Sequence, residues 1–210
     1  MQIPLMPFSA VVVLVGVLSS AAVNAGGDPQ AGKAQALACG ACHGQDGATG
    51  LDPTYPNLAG QNERYLFNQL KMIQSGERTV LLMAGQLLGK SDQDLQNLAA
   101  YYASLPGKIA QAEGDEASVL LAQGIYRGGI LKKGVAACSA CHSPNGNGNE
   151  AAGFPVLTGQ PSAYTIAQLT AYREGERRSD EAYGGMMRGV AGGLTDTEIA
   201  ALADYLQGLH

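Results

Sequence analysis

One pentapeptide, written twice, constrains this chain more than any other feature: Cys39-Gly40-Ala41-Cys42-His43 returns as Cys138-Ser139-Ala140-Cys141-His142, an offset of 99 residues. Two thiols separated by two residues and followed at once by an imidazole form the pattern of covalent c-type haem attachment. The thiols add to the haem vinyl groups and the imidazole is offered to the iron. The two copies use all 4 cysteines and two of the 3 histidines; the third is His210. A four-thiolate zinc site or a pair of disulfides would use the same cysteines. The 99-residue separation lies far outside zinc-finger spacing, and either use would leave the trailing histidines as coincidence. The pattern therefore predicts two covalently bound haem c groups, attached at Cys39, Cys42, Cys138 and Cys141, with His43 and His142 as iron ligands.

A chain of 210 residues has room for one or two domains. Aromatic content is only 6% and tryptophan is missing, so two small domains would be short of bulky core side chains and marginal alone. A haem buried in each supplies the apolar centre. The net charge of −5, to which haem propionates would add, disfavours nonspecific binding to nucleic acid. Divided near Ala112, the first half has 6 basic and 7 acidic residues (net −1) and the second 7 and 11 (net −4), so the halves can present different surfaces to different partners.

Residues 1–25 carry no charged side chain and contain the apolar run from Ala10 to Leu18, followed by small residues ending at Ala25. This reads as a secretory signal peptide cleaved near Ala25, which suits a haem attached outside the bacterial cytoplasm. Beyond it, Asp28-Pro29 starts a helix over 29–38 that delivers Cys39. The Gly-, Asp- and Pro-rich stretch 44–60 is loop. Leu66, Leu70 and Ile73 fall at i, i+4, i+7 on a helix ending near Gly76. Ser91-Asp92-Gln93-Asp94 resembles a capping box that opens a helix with Leu95, Leu98, Tyr102 and Leu105 on one face, stopped by Pro106-Gly107. The polar stretch 108–117 is the linker between an N-terminal domain, 26–107, and a C-terminal domain, 118–210.

The second half repeats the first. At an offset of 99, Pro56 matches Pro155, Gly60-Gln61 matches Gly159-Gln160, Tyr65 matches Tyr164 and Gly76-Glu77-Arg78 matches Gly175-Glu176-Arg177. The offset then becomes 104, pairing Ser91-Asp92 with Thr195-Asp196, Leu95 with Ile199 and Leu98 with Leu202. Agreement of this length argues for two copies of one all-α domain rather than a solenoid.

The duplication also selects a sixth ligand, since a true axial ligand should occupy equivalent positions. Met72 corresponds to Ala171 and reads as helix packing, while Met186 corresponds to Leu82. Met83 and Met187 each stand eight residues before the second helix cap, so they are the predicted axial methionines, each in a loop between helices. Thioether ligation stabilises the ferrous state and closes the iron to substrates. The ligating imidazole must also be held at its other nitrogen, and Pro56 and Pro155 are the candidates for presenting a backbone carbonyl there.

With these residues in hand the chain resembles the dihaem cytochrome c4 family. The resemblance rests on Gly124-Ile125-Tyr126-Arg127-Gly128-Gly129 ahead of the second attachment motif, on Pro56-Asn57-Leu58-Ala59-Gly60-Gln61, and on Leu98-Ala99-Ala100-Tyr101-Tyr102. It implies two tandem class I cytochrome c domains related by pseudo-two-fold symmetry, each wrapped around one haem, with propionates near the domain interface. It also implies a periplasmic protein, soluble or loosely attached to the inner membrane, that shuttles single electrons towards a terminal oxidase, with a quinol–cytochrome c reductase as donor. Family likeness places the carbonyls of Pro56 and Pro155 against the ligand histidines. The competing reading is the electron-accepting subunit of a periplasmic dehydrogenase, such as a flavin-dependent sulfide dehydrogenase. A dihaem peroxidase would need an accessible sixth site on one iron, and both halves offer methionine instead.

Overall fold

Asp28 accepts a hydrogen bond from the Gln30 N–H at 2.8 Å and Pro29 occupies the first turn, which together start α1 (Pro29–Gln35). The structure, a computed structural model, describes Met1 and residues 26–210; apart from Met1, the leader expected over 1–25 lies outside the described residues. The chain does not run on as one helix to residue 38. It pauses at Ala36 and restarts as α2 (Leu37–His43), so the first attachment motif is itself helical. A Cβ at Gly32 would lie 1.9 Å from the Asn97 carbonyl oxygen, so only glycine lets α1 press this closely on α5 (Asp92–Ser104).

Helix α3 (Glu63–Ser75) follows the predicted loop, buries Leu66 and Ile73, and ends at Gly76 with φ +85°, a left-handed cap that favours glycine. The short α4 (Leu81–Ala84) precedes α5. In the second half, Asp115 caps α6 (Glu116–Gly128) by accepting from the Ser118 N–H at 2.8 Å, so helix begins inside the stretch 108–117 read as linker. Residues 129–137 then intervene, closed by an isolated bridge between Ile130 and Val135, before the second motif forms α7 (Ser139–His142). The first half has no such spacer, because α1 leads almost directly into α2. Helices α8 (Ser162–Arg173), α9 (Met186–Ala191) and α10 (Asp196–Gln207) complete the repeat. Both axial candidates therefore sit in short helices, Met83 in α4 and Met187 in α9, and not in the loops expected for them.

The last helix of each half carries the core. Leu95 and Leu98 of α5, and their counterparts Ile199 and Leu202 of α10, are at most 2% exposed. Helix α5 packs on α1 and α3, and α10 on α6 and α8. Both start with a complete capping box. The Ser91 N–H donates to the Asp94 carboxylate at 2.9 Å while the Asp94 N–H donates to Ser91 Oγ at 3.2 Å. Thr195 and Glu198 repeat the exchange at 2.8 and 3.3 Å. Ser91→Ala and Thr195→Ala are each expected to cost about 1 kcal/mol, read as a lower denaturation midpoint.

The architecture is all-α, two similar helical halves with no strands among the described residues beyond isolated bridges. The halves meet with pseudo-two-fold symmetry, visible in exchanged contacts. Arg78 donates to Tyr164 Oη at 3.2 Å, and its counterpart Arg177 donates to Tyr65 Oη at 2.9 Å. Among the described residues no helix is long and apolar enough to cross a membrane.

Candidate functional site

Each attachment motif ends in a buried histidine, and the same device holds both. His43 Nδ1 lies 2.9 Å from the Pro56 carbonyl oxygen and His142 Nδ1 lies 3.0 Å from that of Pro155. A carbonyl can only accept, so the ring proton sits on Nδ1 and the Nε2 lone pair is left to a metal. Burial pulls both imidazole pKa values down, and the carbonyl contacts only partly offset it, so both rings are neutral at neutral pH. An aromatic ring flanks each: Tyr55 at 6.1 Å from His43 and its counterpart Phe154 at 6.2 Å from His142, centroid to centroid. The proline loops are tied back identically, with the Leu58 N–H donating to the Gly47 carbonyl and the Leu157 N–H to that of Gly146, both at 2.7 Å.

Both histidines open onto one continuous cavity of about 1060 Å³ that runs through the two halves. Small-molecule sites occupy roughly 300–1,000 Å³, so this one exceeds the room a single ligand needs. All four motif cysteines line it, and none is joined in a disulfide. Met83 and Met187 line it as well, each half-buried. So do Met72, Met186 and Leu82, of which Met186 is 44% and Leu82 71% exposed. Among the described residues there is no cluster of three or more His, Cys, Asp or Glu that could hold a bare metal ion.

Two arginines complete the walls. Arg177 is only 7% exposed, and Arg78 has a buried Nε with no hydrogen-bond partner. Their partners are neutral: Arg78 donates to Gln69 and Gln168, Arg177 to Gln168, Gln69 and Ser179. No carboxylate among the described residues pairs with either. Buried charge without a counter-ion is costly, so the cavity is built to receive an anion at the junction of the halves. Tyr164 registers the same field: burial raises its phenol pKa, Arg78 and Arg177 lower it, and the net direction is down. Thiols for covalent attachment, neutral imidazole and thioether donors, apolar walls and cations for carboxylates together fit a haem in each half.

The sequence brought Cys39, Cys42, His43, Pro56 and Met83 into one half of this cavity and Cys138, Cys141, His142, Pro155 and Met187 into the other. It assigned no role to Arg78, Arg177, Gln61 or Gln160. The signal available for all four was their repetition at an offset of 99.

The family model described as Cytochrome c matches residues 29–106 and again 132–210. The chain is 46% identical over 211 residues to a cytochrome c4 of Stutzerimonas stutzeri, covering 94% of this chain and 99% of that protein. It is 35% identical to a thiosulfate dehydrogenase electron acceptor of Thiomonas intermedia, covering 82% of this chain and 78% of that protein. Among solved structures, reduced recombinant cytochrome c4 from Pseudomonas stutzeri superposes with a TM-score of 0.83 at 47% identity, covering 88% of this chain and all of that one.

Proposed function

We propose, from the premise that this chain belongs to the cytochrome c family and within it to the dihaem cytochrome c4 proteins, that it relays single electrons between periplasmic redox proteins. It is an electron-transfer protein with two covalently bound haems, one to each half. When bound, each haem supplies one-electron exchange between ferric and ferrous iron. The rest falls to the chain. Residues 26–107 hold one group through Cys39 and Cys42, and residues 118–210 hold the other through Cys138 and Cys141. His43 and Met83 would hold the iron in the first half through imidazole and thioether donors, and His142 and Met187 would do so in the second. The hydrogen bonds that the imidazoles donate to the Pro56 and Pro155 carbonyls fix the rings and raise their basicity. The half-burial of Met187 against the greater exposure of Met186 supports Met187 as the ligand.

The observation that carries this reading is the repetition of the whole donor set on the wall of one cavity. Two sites so placed pass charge from one to the other without releasing it to solvent. The outer surfaces differ: Leu81, Leu82 and Leu88 are exposed around Met83, whereas near Met187 Arg188 pairs with the exposed Glu181 and the buried Asp180. This supports separate surfaces for donor and acceptor. The expected partners are a quinol–cytochrome c reductase and a terminal oxidase, with residues 1–25 as an export signal removed near Ala25.

The 35% identity to a thiosulfate dehydrogenase electron acceptor favours one second reading, that of the electron-accepting partner of a periplasmic dehydrogenase. Stopped-flow mixing separates the two. Rapid reduction by a quinol–cytochrome c reductase and reoxidation by a terminal oxidase are expected. Reduction only by a dehydrogenase that co-purifies with the chain would replace the first reading with the second. The arginines give a further expectation: Arg177→Gln should lower the potentials of both haems by on the order of 50 mV, because it removes a cation that reaches both halves.

A further inference from the structure

Two buried glutamines each reach across the interface to both backbone groups of one residue in the opposite half. Gln160 Oε1 accepts from the Asn57 N–H at 3.0 Å and Gln160 Nε2 donates to the Asn57 carbonyl at 2.7 Å. Gln61 treats Val156 alike, accepting from its N–H at 2.7 Å and donating to its carbonyl at 2.9 Å. Gln61 corresponds to Gln160 and Asn57 to Val156 at the offset of 99, so the exchange obeys the pseudo-two-fold. Gln61, Gln160 and Asn57 are all at most 7% exposed.

What these contacts grip decides what they do. The Asn57 N–H and the Pro56 carbonyl belong to one rigid amide plane, and so do the Val156 N–H and the Pro155 carbonyl. The carbonyl of each plane meets the histidine of its own half, while its N–H is held by the glutamine of the other half. A continuous chain therefore runs from His43 Nδ1 through the Pro56–Asn57 amide to Gln160, and a second from His142 Nδ1 through Pro155–Val156 to Gln61.

We propose that Gln61 and Gln160 are positioning residues, each setting across the interface the aim and polarity of the proline carbonyl that holds the other half's histidine. The inference rests on the reading that His43 and His142 ligate haem iron. An amide whose N–H donates to a glutamine carbonyl is polarised, and its own carbonyl becomes a better acceptor. The histidine held by that carbonyl is then more basic and favours ferric iron. Each half thus tunes the potential of the other.

The test is to measure the potential of each haem separately in Gln160→Leu and Gln61→Leu, with Arg64→Gln as a control that removes a peripheral cross-interface contact to the Ala151 carbonyl. Gln160→Leu should raise the potential of the first-half haem and shift the sharing of one electron between the halves towards it by roughly fivefold, the effect of one lost hydrogen bond. Gln61→Leu should shift it towards the second half by a similar factor, and Arg64→Gln should leave it in place. The His43 Nδ1 nitrogen resonance should move in Gln160→Leu and the His142 resonance in Gln61→Leu. A merely structural role would move both haems together, so shifts of the same sign in both variants, or an equal shift in the control, would overturn the proposal. The wild-type protein gives an independent reading if a variant fails to fold: the Asn57 and Val156 amide protons should exchange slowly, and rapid exchange of both would contradict it. Loss of histidine ligation in the wild-type spectrum would instead strike the haem reading itself, so the two failures stay separate.

Discussion

Met187→Ala is expected to lower the reduction potential of the second-half haem by on the order of 0.2 V, within the roughly 0.8 V range that axial ligation commands, and to leave the first near its native value. A thioether stabilises ferrous iron, and its loss removes that preference. Alanine also leaves the cavity wall at α9 without a donor, so the variant should bind carbon monoxide or cyanide where the wild type does not. Met186→Ala should do neither, since Met186 is 44% exposed and corresponds to Leu82. Individual potentials and exogenous-ligand binding decide the matter. If the Met186 variant opened the iron and the Met187 variant did not, the axial assignment in the second half would pass to Met186.

Replacing Cys138 and Cys141 together by alanine should leave one covalent haem and an unfolded second half. The packing there is modest in bulk: Leu194, Ile199, Leu202 and Leu206 gather with Ala122, Ile125 and Tyr126, and the adjoining cavity belongs to the continuous volume of about 1060 Å³. Leaving the second half's share of that volume unfilled would cost roughly 24 cal/mol per Å³, which for a few hundred Å³ matches the ~5–15 kcal/mol stability of a whole domain. Covalent haem content should fall by half, and amide exchange over α10 should become fast while α5 stays protected. Native protection of α10 in this variant would show that the second half folds on side-chain packing alone.

What the sequence revealed, and what it hid, follows from the range of the interactions. The capping boxes at Ser91 and Thr195 were legible because every partner lies within three residues. The glycine end of α3 was legible for the same reason. Repetition extended this reach: the Pro56 and Pro155 segments stand 13 residues beyond their histidines in both halves, and each carbonyl meets the imidazole. The break at Ala36 was not legible, because no proline or glycine stands within three residues of it. Nor were the short helices around Met83 and Met187, which are too brief to show a period. Arg78, Arg177, Gln61 and Gln160 were visible only as repeated letters. Their partners across the interface lie 86 to 112 residues away, and no local pattern encodes such a contact.

The account turns on two equivalent centres, each closed on one side by an imidazole and on the other by a thioether. A redox titration of the purified protein, followed by optical and magnetic spectra of each centre, tests this most directly. Two covalently attached porphyrins, both low-spin with nitrogen and sulfur axial ligands and titrating as two one-electron steps, are the predicted result. A single porphyrin, or a resting centre with an open axial position, would contradict it.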